Sequence, residues 1–130
     1  MKWLFYRMYK NGKIVSIADF ANMDIPVSRP NENGVFMERV NVGIATPQNM
    51  LLLVEIAHGE KGYYFGLIHE TRTGGSMSPV SISKNVYDKK EDAFLAAIDR
   101  LKTYDKINPE YLTEAVHELF NSKHKQLELF

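Results

Sequence analysis

Leu51-Leu52-Leu53-Val54-Glu55-Ile56-Ala57 is the stretch around which the rest of the chain has to be arranged. Written as a strand, it puts Leu51, Leu53 and Ala57 on one face and Leu52, Val54 and Ile56 on the other, because successive side chains point to opposite sides. A strand that is apolar on both faces has to be covered on both, which predicts a central place in a sheet. His58-Gly59-Glu60-Lys61-Gly62 predicts a turn, and Tyr63 to Glu70 a partner strand. Thr71 to Ser78, with Gly74-Gly75 inside it, reads as a loop; Pro79 to Ile82 reads as a short edge strand, where proline is tolerated.

On the N-terminal side, Phe36 to Ile44 predicts a further strand that stops near Pro47. Residues 19–35 contain Pro26, Pro30, Asn31, Asn33 and Gly34, and so predict a long connection. Trp3 to Tyr9 and Ile14 to Ala18 predict a hairpin around Asn11-Gly12, a dipeptide that accepts positive φ at both central turn positions. After Tyr87 the period changes. Asp88 predicts a helix cap with Glu91 three residues on, and Phe94, Ala97, Ile98, Leu101 and Tyr104 follow at helical spacing. Asn108-Pro109 repeats the start signal, and Tyr111, Leu112, Ala115, Val116, Leu119 and Phe120 define a second apolar face that ends at Asn121-Ser122. The expected fold is α+β: an antiparallel sheet of about five to six strands followed by two C-terminal helices packed on one face. Residues 1–121 form one domain in this reading, and 122–130 a polar linker and tail.

Composition narrows the functional classes. The chain has 130 residues, 45% hydrophobic and 25% charged, a balance that supports a packed core rather than disorder. There is no cysteine, which excludes disulfides, thiolate nucleophiles and sulfur-ligated zinc. Any metal site would have to draw on the 4 His and 16 acidic residues. The 16 Lys and Arg balance those acids, so the fold-wide basic field of a stand-alone nucleic-acid binder is missing. No apolar run approaches the roughly 20 residues that span a bilayer. The Met-Lys-Trp-Leu-Phe-Tyr-Arg start becomes charged too early for a secretory leader. A cytoplasmic protein without a membrane anchor is the expectation.

The last five residues, Gln126-Leu127-Glu128-Leu129-Phe130, carry the clearest motif. They resemble the clamp-binding motif of bacterial polymerases, mismatch-repair proteins and many mobile-element proteins, whose common form is Gln-Leu-(Ser/Asp)-Leu-Phe. Four of the five positions match, and Glu128 stands at the tolerant middle position, where another acid is frequent. The resemblance implies that Gln126 enters a polar sub-pocket of the bacterial DNA sliding clamp, donating and accepting hydrogen bonds. It implies that Leu127 anchors the middle and that Leu129 and Phe130 fill an apolar cleft, at about 1.5–3 kcal/mol per side chain. The second reading of the same residues is helical. Val116, Phe120, Leu127 and Phe130 lie at offsets i, i+4, i+11 and i+14, so the helix could continue and pack them on the protein's own core, or Leu127 to Phe130 could add a strand to the sheet. The order of strand, Gly-rich loop, short strand, helix and clamp box also resembles small proteins of phages and plasmids, which implies a mobile-element setting and no particular activity.

Three weaker candidates lie elsewhere. Glu55, His58 and Glu60, with His69-Glu70 on the partner strand, hold acid–base groups, but at no metal-ligand spacing; exposed hairpin polarity is the expectation. Thr71 to Ser76 offers Arg72 and the amides of Gly74 and Gly75 to a phosphate, without the lysine or spacing of a P-loop. A nucleic-acid surface would join that loop to Lys84, Lys89 and Lys90, with Tyr63, Tyr64 and Phe65 stacking on bases. No cofactor or metal is expected, and the sequence leaves enzymatic activity and oligomeric state open. Clamp adaptor, nucleic-acid module, DNA-acting enzyme and clamp-blocking phage factor are the readings that follow.

Overall fold

The structure, a computed structural model, describes residues 14–47 and 50–128, the side chains of 124–128 excepted. Trp3 to Tyr9 and the Asn11-Gly12 turn therefore lie outside the described residues. The elements are β1 (Ile14–Val15), α1 (Ile17–Ala21), β2 (Val40–Gly43), β3 (Met50–Gly59), β4 (Gly62–Thr71), β5 (Gly74–Ser78), α2 (Lys90–Leu101) and α3 (Pro109–Glu128). The fold is α+β: among the described residues five strands lie in the order β1-β2-β3-β4-β5, with the two C-terminal helices packed on the sheet. β1 runs parallel to β2 while the other neighbours are antiparallel, so the sheet is mixed where an all-antiparallel one was expected.

β3 is the central strand, and every residue from Leu51 to Ala57 is buried. Its Leu52, Val54 and Ile56 join Val42 and Leu67 beneath Phe94, Ala97, Ile98 and Leu101 of α2 and Leu112, Ala115 and Leu119 of α3. On the opposite face Leu51, Leu53 and Ile68 cluster, and farther along Ala57 and Tyr64 pack with Phe36 and Val80. Full burial of such side chains contributes about 1.5–3 kcal/mol each, which makes the double-sided strand the main source of stability.

Several segments differ from expectation, each for a local reason. Ile17 and Ala18 are helical because the Ser16 hydroxyl accepts the Asp19 amide at 3.0 Å, an N-cap that stops β1 after Val15. Of the expected 36–44 strand, Val40–Gly43 pairs with β3 and Ile44 N–H donates to Leu52 O at 3.0 Å, whereas Phe36 turns under the sheet to meet Tyr64, ring centroids 5.1 Å apart. Gly74–Ser78 is a strand, not a loop, and pairs antiparallel with β4. Glycine hides it from a propensity reading, yet a Cβ on Gly75 would sit 2.1 Å from the His69 carbonyl oxygen. Pro79–Ile82 bonds instead to residues 34–36, through a Val35–Ser81 bridge and Phe36 N–H to Val80 O at 2.9 Å.

Among the helices, α2 starts after Lys89 with no side-chain cap, in place of the expected Asp88 cap. α3 begins at Pro109 as read, and the Asn108 carbonyl Oδ1 accepts the Glu110 amide at 3.0 Å. It then runs past Asn121-Ser122 to Glu128, so the residue 121/122 boundary falls inside a continuous helix. No helix among the described residues is long and apolar enough to cross a membrane.

Candidate functional site

α3 is the arm that carries the pentapeptide. Its 20 residues span about 30 Å at the α-helical rise. Leu112, Ala115 and Leu119 are buried, Tyr111 and Val116 half-buried, and Phe120 is 54% exposed, so the apolar face named from the sequence loses contact with the core at its end. One further tie follows: Lys123 Nζ lies 3.3 Å from a Glu91 carboxylate oxygen in the first turn of α2. Gln126, Leu127 and Glu128 continue the helical backbone, whereas Leu129 and Phe130 lie outside the described residues. The last four carbonyls of any α-helix have no intrahelical partner, so its final turn opens at low cost.

Glu55, His58 and Glu60 do not converge. Strand alternation puts Glu55 on the face away from the helices, 2% exposed, where it pairs with Arg39 Nε; Arg39 Nη1 also donates to Phe36 O at 2.8 Å. His58 points to the helix side. Its Nδ1 lies 2.7 Å from the Ile25 carbonyl, which only accepts, so that nitrogen carries the proton; its ring stacks on Tyr63 at 4.1 Å. Glu60 sits exposed at the hairpin turn, 3.6 Å from Arg29. Each of the three is held by a structural partner, and no cluster of three metal-ligating residues occurs among the described residues. His69 is buried edge-on to Tyr104, and its Nε2 finds no hydrogen-bond partner among the described residues. Burial, with Lys106 as a smaller cause, lowers its pKa and keeps the ring neutral near pH 7.

The basic residues named from the sequence are also dispersed. Arg72, Gly74 and Gly75 lie at one end of β4, and Lys89 and Lys90 beside its other end, where Tyr63 bridges Tyr87. Ten residues of strand separate the two, roughly 30 Å. Lys90 is engaged inside the fold: its ammonium donates to the carbonyls of Phe20 at 2.6 Å, Ala21 at 3.2 Å and Met23, closing the C-terminus of α1, and sits 5.2 Å from the Phe20 ring centre. Burial pushes its pKa down, opposed by the adjacent Glu91 carboxylate. Tyr63 stacks under His58, Tyr64 is buried and Phe65 tilts against Tyr87, so all three rings serve internal packing.

Arg39 and Lys90 escaped the sequence reading as structural cations. An arginine near a strand carries no local mark of the glutamate it will meet, and a lysine at a helix start reads as solvent-facing. Lys84, by contrast, faces a cavity that also draws on residues 29–36 and 60–64. Compared with known proteins, this chain matches no family model, no curated protein and no solved structure.

Proposed function

We propose that this protein docks on the bacterial DNA sliding clamp through Gln126, Leu127, Glu128, Leu129 and Phe130, and acts there as an accessory or adaptor in DNA replication or repair, in a phage or mobile-element setting. The observation that carries the reading is the four-of-five match of the pentapeptide to the clamp-binding motif. Two physical points support it. Among the α3 residues whose side chains are described, the last buried one is Leu119, and Gln126 follows seven residues, or about 10 Å of helical rise, later. Opening the terminal turn gives up about four hydrogen bonds, roughly 2–6 kcal/mol in all, against roughly 4.5–9 kcal/mol from burial of Leu127, Leu129 and Phe130 in an apolar cleft.

The helical arm changes the geometry of the tether. A flexible four-residue linker would let the domain swing within about 14 Å of its anchor, whereas a helix holds it at a defined angle. Affinity should fall in the micromolar range, near −8 kcal/mol, after the cost of ordering the terminal residues. The test is direct binding of the full chain to purified bacterial clamp, beside a chain lacking residues 126–130 and the Phe130→Ala variant. Loss of binding in both is the expected result. An affinity that survives the deletion unchanged removes the proposal.

A further inference from the structure

On the sheet face turned away from the helices, three segments distant in sequence enclose a cavity of about 740 Å³. That volume lies inside the roughly 300–1,000 Å³ of ordinary small-molecule sites. The buried pair Phe36 and Tyr64 makes its floor. Ile82 and Val86 form a wall and remain 52% and 44% exposed, large aliphatic side chains left facing the opening. Their backbone is pinned nearby: Ile82 N–H donates to Gly34 O at 2.9 Å, and Tyr87 exchanges two hydrogen bonds with Tyr63. The wall is therefore held ready, not assembled on demand.

Charge gives the cavity its sign. Arg29, Lys61 and Lys84 line it against a single acid, Glu60, which Arg29 already engages. The Lys84 ammonium bonds to the Ser78 hydroxyl and, at 2.8 Å, the Pro79 carbonyl, both neutral. Among the described residues no carboxylate lies within ion-pair distance of it. Partial burial pushes its pKa down, then Arg100 does the same, while Glu55 acts in the opposite sense. A cation drawn out of water without a counter-ion gains when an anion arrives. The larger groove between α1, residues 45–47 and α3 is the electrostatic opposite: about 820 Å³, with Glu114 and Glu118 and no lysine or arginine among its described lining residues.

We propose that the cavity between residues 29–36, 60–64 and 82–86 binds a small organic anion, a carboxylate or phosphate monoester carried on an apolar ring or chain. The anionic group meets Lys84 and Lys61, and the apolar body lies on Ile82 and Val86. A neutral apolar molecule would leave Lys84 uncompensated, and inorganic phosphate would leave the aliphatic wall wet. Both are therefore poor ligands.

The experiment titrates the full chain, without clamp, with 1-naphthyl phosphate, 1-naphthoate, 1-naphthol and inorganic phosphate. At least one of the two naphthyl anions should bind at concentrations up to about 1 mM, and about tenfold more tightly than naphthol or phosphate. Comparing the two anions tells phosphate ester from carboxylate. Lys84→Met and Val86→Asp should each weaken binding about tenfold or more. Because Lys84 also ties down residues 78–79, Val86→Asp and Lys61→Ser, both at exposed positions, keep the test valid if Lys84→Met fails to fold. Absence of binding by both anions, equal binding of naphthol, or an affinity unchanged in folded Val86→Asp overturns the proposal.

Discussion

On the helix side of the β3–β4 hairpin, Leu52, Val54, Ile56 and Leu67 pack against apolar side chains of α1, α2 and α3. On the other side the same two strands carry a buried Glu55–Arg39 pair between apolar clusters, and beyond it the cationic cavity at the hairpin end. One backbone thus supports a dry core on one face and a charged, partly open surface on the other. The contrast locates stability and recognition differently. Dispersion and area removed from water dominate where α2 and α3 cover the sheet. On the opposite face the apolar clusters contribute in the same way, and the Glu55–Arg39 pair between them adds a site where a lost partner leaves a buried charge.

Five substitutions probe that contrast. Phe94→Ala, at a fully buried ring on the helix side, should lower unfolding free energy by about 3–5 kcal/mol in urea titrations. A loss below about 1 kcal/mol would mean that α2 does not seal the core. Next comes the polar face. Arg39→Ala strands the Glu55 carboxylate and should cost about 3 kcal/mol, the lower end for a broken buried pair because Arg39 is partly exposed. Adding Glu55→Leu should recover part of that loss, since it removes the stranded charge and leaves only the volume lost at position 39. If the double variant is no more stable than Arg39→Ala, charge pairing is not what the face depends on.

His69 supplies a smaller, pH-dependent effect on the helix side. Its pKa is lowered in the folded chain, by burial first and Lys106 second, so the unfolded chain binds the extra proton. Its contribution is fully present above the ordinary imidazole value of 6.5 and is lost as pH falls through that value toward the folded pKa. His69→Phe should therefore flatten the decline in urea midpoint below pH 6.5, and an unchanged slope would assign the decline to other groups. The smallest effect belongs to the junction of α2 and α3. Lys123→Ala removes a partly exposed ion pair and should cost only a few tenths of a kcal/mol, less still at high salt. Its informative readout is amide exchange, which should quicken in residues 120–128 and leave β3 unaltered.

The physics of locality explains how far the sequence could be read. Central strand, partner strand and both C-terminal helices follow from alternation and helical spacing, which are properties of neighbouring residues. The Asn108-Pro109 start is of the same kind and recurs in the structure. The short α1 was missed although Ser16 and Asp19 stand at capping distance, because Ile14 to Ala18 also fits a strand. β5 reads as a loop because of two glycines, Gly75 at a close backbone approach and Gly74 at a positive φ in open space. The Asn121-Ser122 stop was overruled as well: polar residues at a helix end resemble a linker, yet the backbone hydrogen bonds run on to Glu128.

Period, caps and the pentapeptide were legible in the chain alone because each is written in residues a few positions apart. Lys90 closing a helix whose carbonyl at Phe20 lies 70 residues earlier was not, nor was Arg39 meeting Glu55 across 16 residues. The cavity lined by Arg29, Lys61 and Lys84 belongs with them. Such meetings depend on strand order and register, and only folding brings those partners together, since the energy that selects one register is spread over the whole buried surface.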